Sequence, residues 1–166
     1  MRYLIALMTV WWVSGDAHAQ TRTFPTEKRS VTVETVAKGL ENPWGLAFLP
    51  DGRMLVTERP GRMRIIAADG ALSAPLTGLP NVAARGQGGL LDIVLDPAFA
   101  SNRFVYVTFA EPRSGGNGTS VARLRMNAGG TGFDQSSVIF RQQPSYNGGL
   151  HFGSRMVFDR TGALFV

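Results

Sequence analysis

Hydrophobic and polar positions in this chain alternate in short bursts, broken by glycine, proline and aspartate. Val31 to Ala37 alternates as a half-buried strand does, and from Pro43 onward the punctuation becomes regular. "PWGLAFLPDGRMLVTE" reads as strand, Pro-Asp-Gly turn, strand. "RPGR" follows, with Pro60-Gly61 suited to the middle of a type II turn. "MRIIAADGAL" then supplies a third strand and a second Asp-Gly turn. No segment sustains a 3.6-residue apolar period, so the chain reads as all-β.

One phrase returns. "GLAFLPDGRMLVT" from Gly45 resembles "LDIVLDPAFASNRFVYVTF" from Leu91 and "SRMVFDRTGALFV" from Ser154. Aligning Phe48, Leu95 and Phe158 gives spacings of about 47 and 63 residues, a period suited to propeller blades with loop insertions. Each copy predicts an inner strand, a turn beside Pro50, Pro97 or Arg160, and an outgoing second strand. A β-sandwich with similar hairpins is the alternative; the regular spacing favours an incomplete β-propeller of about two and a half blades. The third copy reaches Val166 inside its second strand, and so few blades cannot close a ring. The expectation is therefore the N-terminal part of a longer protein.

The N-terminus adds an address. Arg2 gives a positive start, Leu4 to Val13 an apolar run, and Ala17-His18-Ala19 the small-x-small form of a cleavage site. Residues 1–19 read as a secretory signal peptide, implying a periplasmic or secreted protein with no membrane span after cleavage. Residues 20–30 read as an exposed, irregular leader and 31–166 as the propeller portion. With Cys 0, disulfides, thiolate metal sites and cysteine nucleophiles are excluded. The net charge of +5 comes almost wholly from arginines scattered among acids, which reads as a solvated surface and not a nucleic-acid patch.

Two glycine-rich segments fall at corresponding places in the repeat. "ARGQGGLLD" leads into the second copy and "NGGLHFGSR" into the third. Residues entering the inner strands of a propeller line the mouth of its channel, which predicts that Gln87 and His151 face one shared space. Small neighbours let a ligand approach the backbone, and an imidazole exchanges protons near neutral pH. The plainer possibility is that His151 hydrogen-bonds a neighbouring loop and Gln87 caps a turn. No Gly-Lys-Ser/Thr follows Gln87, so its loop is not a phosphate loop. Asp92, Asp96 and Asp159 could suggest calcium, but Asp96 and Asp159 recur at the strand-to-turn position, where turn stabilisation is the simpler explanation. Asn117-Gly118-Thr119 is a formal glycosylation sequon, though "RSGGNGTS" reads more simply as a flexible hairpin loop. No nucleophile triad or metal-ligand cluster is visible.

"NPWGLAFLPDGRMLVTERPGRMRII", "GQGGLLDIVLDPAFASNRFVYVTFAE", "VIFRQQP" and "LHFGSRMVFDRTGALFV" together resemble the PQQ-dependent aldose sugar dehydrogenases of the glucose/sorbosone dehydrogenase family. The likeness runs from about Val36 to Val166. It implies a six-bladed propeller in the full-length protein, export to the periplasm, and pyrroloquinoline quinone (PQQ) over the central channel. By position, His151 resembles the general base that takes the proton of the sugar's anomeric hydroxyl while hydride passes to the quinone, giving a lactone. Gln87 resembles the glutamine beside quinone and sugar, and both residues are the candidate cofactor contacts. Where soluble glucose dehydrogenases carry an orienting aspartate, this chain has Leu150. The cationic cofactor anchors and the calcium site are expected downstream of this chain, so the chain alone is expected to be inactive. The resemblance leaves the electron acceptor open. A non-catalytic secreted propeller that binds carbohydrate or protein is the alternative function.

Overall fold

The computed structural model describes residues 21–166, in two units that divide between Thr35 and Val36. The expected signal peptide lies outside the described residues. In the first unit, β1 (Thr21–Pro25) pairs antiparallel with β2 (Ser30–Glu34), and every residue of both strands is exposed. The expected leader is thus exposed but not irregular. Arg22-Thr23-Phe24 alternates well enough to pair with Thr32-Val33, around a turn closed by Thr26 and Arg29.

The second unit is all-β, as the alternation predicts, and forms consecutive antiparallel meanders. β3 (Pro43–Phe48), β4 (Met54–Glu58) and β5 (Arg62–Ile66) make the first sheet. β6 (Leu90–Leu95), β7 (Phe104–Arg113), β8 (Gly116–Met126) and β9 (Phe133–Arg141) make the second. β10 (Val157–Phe158) and β11 (Leu164–Phe165) begin a third. Strand order follows chain order in each sheet, as in the blades of an incomplete propeller. The aligned phrases become β3–β4, β6–β7 and β10–β11, so the repeat is structural. A four-residue helix, α1 (Phe99–Asn102), fills the longer turn of the second copy.

The sheets meet over a core built on their inward faces, including Leu55, Met63, Leu90, Val107, Phe109 and Leu124. The inner strands β3 and β6 come so close that a Cβ on Gly45 would lie 2.9 Å from the Leu91 carbonyl oxygen. Buried Thr57 closes this seam: its hydroxyl donates to Leu91 O at 2.6 Å and accepts from Gly45 N at 2.9 Å.

Two turn expectations need correction. Gly61 N donates to Glu58 O, so Arg59-Pro60 occupies the middle of that turn and Gly61 follows it with φ 107°. The β7–β8 connection is a tight Ser114-Gly115 turn, and Asn117 lies on β8, buried, its amide donating to Gly148 O at 2.8 Å. The sequon is therefore neither a flexible loop nor an accessible acceptor.

Candidate functional site

Gln87 and His151 do meet. Gln87 Oε1 accepts the His151 backbone N–H at 2.9 Å, and Gln87 N donates to Gly149 O at 2.7 Å. The two glycine-rich segments therefore lie side by side, each ahead of an inner strand. A Cβ on Gly86 would sit 2.4 Å from Gly149 O, and Gly86 has φ 61°. Only glycine satisfies both conditions there. The imidazole-bearing residue itself is exposed.

The His151 segment is held in an unusual conformation. His151 has φ 59° and Ser154 φ 90°, a left-handed backbone rarely taken by residues with a side chain. The second sheet supplies the restraints. Thr119 Oγ1 donates to Phe152 O at 2.8 Å, Thr108 Oγ1 donates to Ser154 O at 2.9 Å, and Asn117 secures Gly148. Asp92, nearly fully buried, accepts from Met156 N at 2.7 Å and from Arg155 Nη1 at 3.0 Å. Arg155 in turn stacks over the Trp44 ring, 5.2 Å from its centroid. Backbone strain held by so many neighbours is a feature of functional sites.

Asp92 thus differs from the two aspartates expected at turns. Those two do stabilise turns: Asp96 accepts from Ala98 N, and Asp159 from the N–H groups of Thr161 and Ala163. Asp92 instead sits within β6, where its carboxylate binds a segment 63 residues away.

Around His151 opens a cleft of about 500 Å³ lined by Trp44, Arg59, Gln87, Leu91, His151 and Phe152, among others. Three successive blades contribute to it. Arg59 arrives from the end of β4, and its guanidinium donates to the Gly86 carbonyl. The residue before it, Glu58, is fully buried and anchors that end. It accepts from Arg62 Nε and Arg64 Nε, each at 3.0 Å, and from the Glu41 N–H. Burial raises the Glu58 pKa, but the hydrogen bonds from Arg62, the Glu41 N–H and Arg64 outweigh it and hold the carboxyl below its ordinary value.

Trp44, Arg59 and Phe152 were not singled out by sequence reasoning. Only Trp44 left a signal, as the sole tryptophan after the expected signal peptide. The cleft lining contains no carboxylate. Among the described residues, no group of three His, Cys, Asp or Glu side chains could hold a metal ion.

Successive antiparallel meanders with glycine-rich loops ahead of their inner strands define the class, an incomplete β-propeller, and sequence comparison defines the family. The Glucose / Sorbosone dehydrogenase family model matches residues 40–166, and the chain belongs to that family. It is 45% identical over 139 residues to the aldose sugar dehydrogenase YliI of Escherichia coli K12, an alignment covering 82% of this chain and 38% of that protein. A glucose dehydrogenase crystal structure shares 48% identity with a TM-score of 0.75, covering 78% of this chain and 38% of its own. The PQQ-bound aldose sugar dehydrogenase of Streptomyces coelicolor shares 31% identity with a TM-score of 0.68, covering 89% and 41%. The chain thus spans about two fifths of the length of these relatives.

Proposed function

We propose that the protein carrying this chain oxidises aldose sugars at the anomeric carbon, and that His151 is its general base. The observation that carries this reading is the juxtaposition of exposed His151 with Gln87, 2.9 Å apart from backbone N to Oε1, at one cleft. The relatives' names point to the reaction class, and an exposed histidine lining the cleft supports the assignment of the base.

The donor set fits a flat, anionic cofactor. Trp44 and Phe152 offer planar apolar surface, Arg59 adds positive charge, and no carboxylate lines the cleft to repel it. Arg59, Gln87 and His151 are the residues that would contact it. When bound, pyrroloquinoline quinone supplies the acceptor for the hydride leaving the anomeric carbon, and the sugar becomes a lactone. His151 removes the proton of the anomeric hydroxyl, the task for which an imidazole is suited near neutral pH. Gln87 fixes the peptide from which that imidazole projects. The tight chain of bonds through Thr119, Thr108 and Asp92 keeps the base from drifting with its loop.

The remaining cofactor anchors and a calcium site are assigned to the part of the family-length protein outside this chain, and the protein to the periplasm. The test is to express the complete reading frame, supply PQQ and calcium, and follow dye reduction and lactone formation with glucose. Sugar-dependent reduction by that protein, and none by residues 20–166 alone, is the expected result. A full-length protein that binds sugar but reduces no dye would indicate the non-catalytic propeller instead.

A further inference from the structure

The inner strands β3 and β6 are bulged at the same phase of the repeat. Pro43 pairs with Glu58 and Leu46 with Val56; in the next blade Leu90 pairs with Phe109 and Ile93 with Val107. Each inner strand thus advances three residues against two on its neighbour, the mark of a bulge. Trp44 and Gly45 fill the first bulge, Leu91 and Asp92 the second. A bulge re-aims side chains, and Trp44 and Leu91 both line the His151 cleft.

A threonine closes each bulge. Thr108 repeats in the second blade what Thr57 does in the first: its hydroxyl accepts from Asp92 N at 2.8 Å and donates across the seam to Ser154 O at 2.9 Å. The copies differ in the residue at this phase, which is Gly45, then Asp92, then Arg155. Buried Asp92 therefore has a carboxylate where the first blade has no side chain, and its two oxygens serve different structures. Oδ2 accepts from Met156 N at 2.7 Å, fixing the chain just ahead of β10. Oδ1 accepts from Arg155 Nη1 at 3.0 Å, and this bond holds the guanidinium over the Trp44 ring.

The Arg155 side chain is 75% exposed, so its burial adds little to the core. Trp44 lines the cleft and Arg155 does not, so the cation backs the ring instead of facing a ligand. With one face covered, the indole is held in place, and ordering a wall before the ligand arrives lowers the cost of binding.

We propose that Asp92 and Arg155 are positioning residues. Arg155 braces the Trp44 ring as the wall on which the flat cofactor stacks, and Asp92 ties that wall to the strand that follows His151. This rests on the reading of the His151 cleft as the cofactor site.

The experiment is a calorimetric titration of the full-length apoprotein with PQQ, calcium supplied, in wild type, R155M, W44L and the double variant. R155M keeps an apolar stem without the cation and changes a solvent-exposed side chain. It should raise the PQQ Kd about three- to tenfold, the scale of one side chain that must be ordered on binding. W44L should raise it at least as much. Because Arg155 acts through Trp44, the double variant should bind within about twofold of W44L. Losses that multiply would mean that the guanidinium attracts the anionic cofactor directly, and would overturn the brace. An R155M protein that binds PQQ as wild type does would overturn it too. D92N keeps an acceptor for Met156 N but not the charge that holds Arg155, so its Kd should match that of R155M. Wild-type affinity in D92N would remove Asp92 from the account; if D92N does not fold, R155M and W44L still decide the brace. A wild-type protein that binds no PQQ overturns the reading of the cleft itself, and the brace with it.

Discussion

Gln87 illustrates how a residue's role changes once its partner is known. Beside a cofactor it would be one polar contact among several; as the acceptor of the His151 N–H it also sets where the imidazole stands. Misplacing a catalytic group by about 1 Å can cost on the order of a hundredfold in rate. Gln87→Ala should therefore lower kcat by about 10- to 100-fold, while Gln87→Glu, which keeps the acceptor oxygen, should recover part of the loss. Steady-state kinetics of the two variants checks this; equal losses would show that the acceptor does not matter. The pairing was legible in the sequence because the repeat put the loops of Gln87 and His151 at corresponding places before their inner strands. Asp92 was not legible in the same way. A carboxylate within a run of apolar residues announces a partner but not which one, and Arg155 and Met156 lie in the next blade.

Among the elements, the second sheet carries most of the burden of holding the site, and Glu111 fastens its end. Arg141 of β9 grips Glu111 at 2.8 and 2.9 Å, while Arg113 of β7 and Ser120 of β8 bind the same carboxylate. The Arg141 hydrogen bonds, opposed by burial and supported by Ser120 and Arg113, bring the Glu111 pKa from 4.5 down to about 2. The folded form therefore prefers the ionised carboxylate more strongly than the unfolded form does. This contribution is fully present above about pH 4.5 and is lost as the pH falls from there through about 2. Its size is on the order of 1–3 kcal/mol, since half-exposed Arg141 is partly screened. Thermal unfolding from pH 6 to pH 2.5 should show a steeper loss of stability in the wild type than in Glu111→Gln. Parallel curves would contradict it.

The seam between β3 and β6 makes the second demand at this scale. Gly45→Ala forces a methyl group toward the Leu91 carbonyl and should destabilise the chain by about 1–3 kcal/mol, measured by denaturant unfolding. A change below about 0.5 kcal/mol, typical of surface sites, would mean the strands can part without cost. The hairpins were readable because Pro-Asp-Gly and alternation are local signals. The one-residue shift of the turn at Arg59-Pro60 and the strand pairing of Thr21–Pro25 were not, because cross-strand registry decides both.

At the scale of the whole molecule, the incomplete propeller and the family followed from the same feature, a phrase repeated three times with polar loops ahead of each later copy. What the sequence could not place was the surrounding wall. Trp44 and Arg59 come from the first blade and Phe152 from the approach to the third, and only the packing of one blade on the next brings them to His151. On the proposed reading, most of the surface that would hold the cofactor, Trp44, Phe152 and Arg59, belongs to residues other than His151. The deciding measurement therefore sets His151→Gln against wild type in the full-length protein, with turnover and PQQ titration read side by side. Loss of a positioned base costs about 10²–10⁴ in rate, so turnover should fall by that factor while the cofactor titration stays nearly the same. Near-normal turnover in His151→Gln would contradict the assignment and leave His151 a structural residue at the channel mouth.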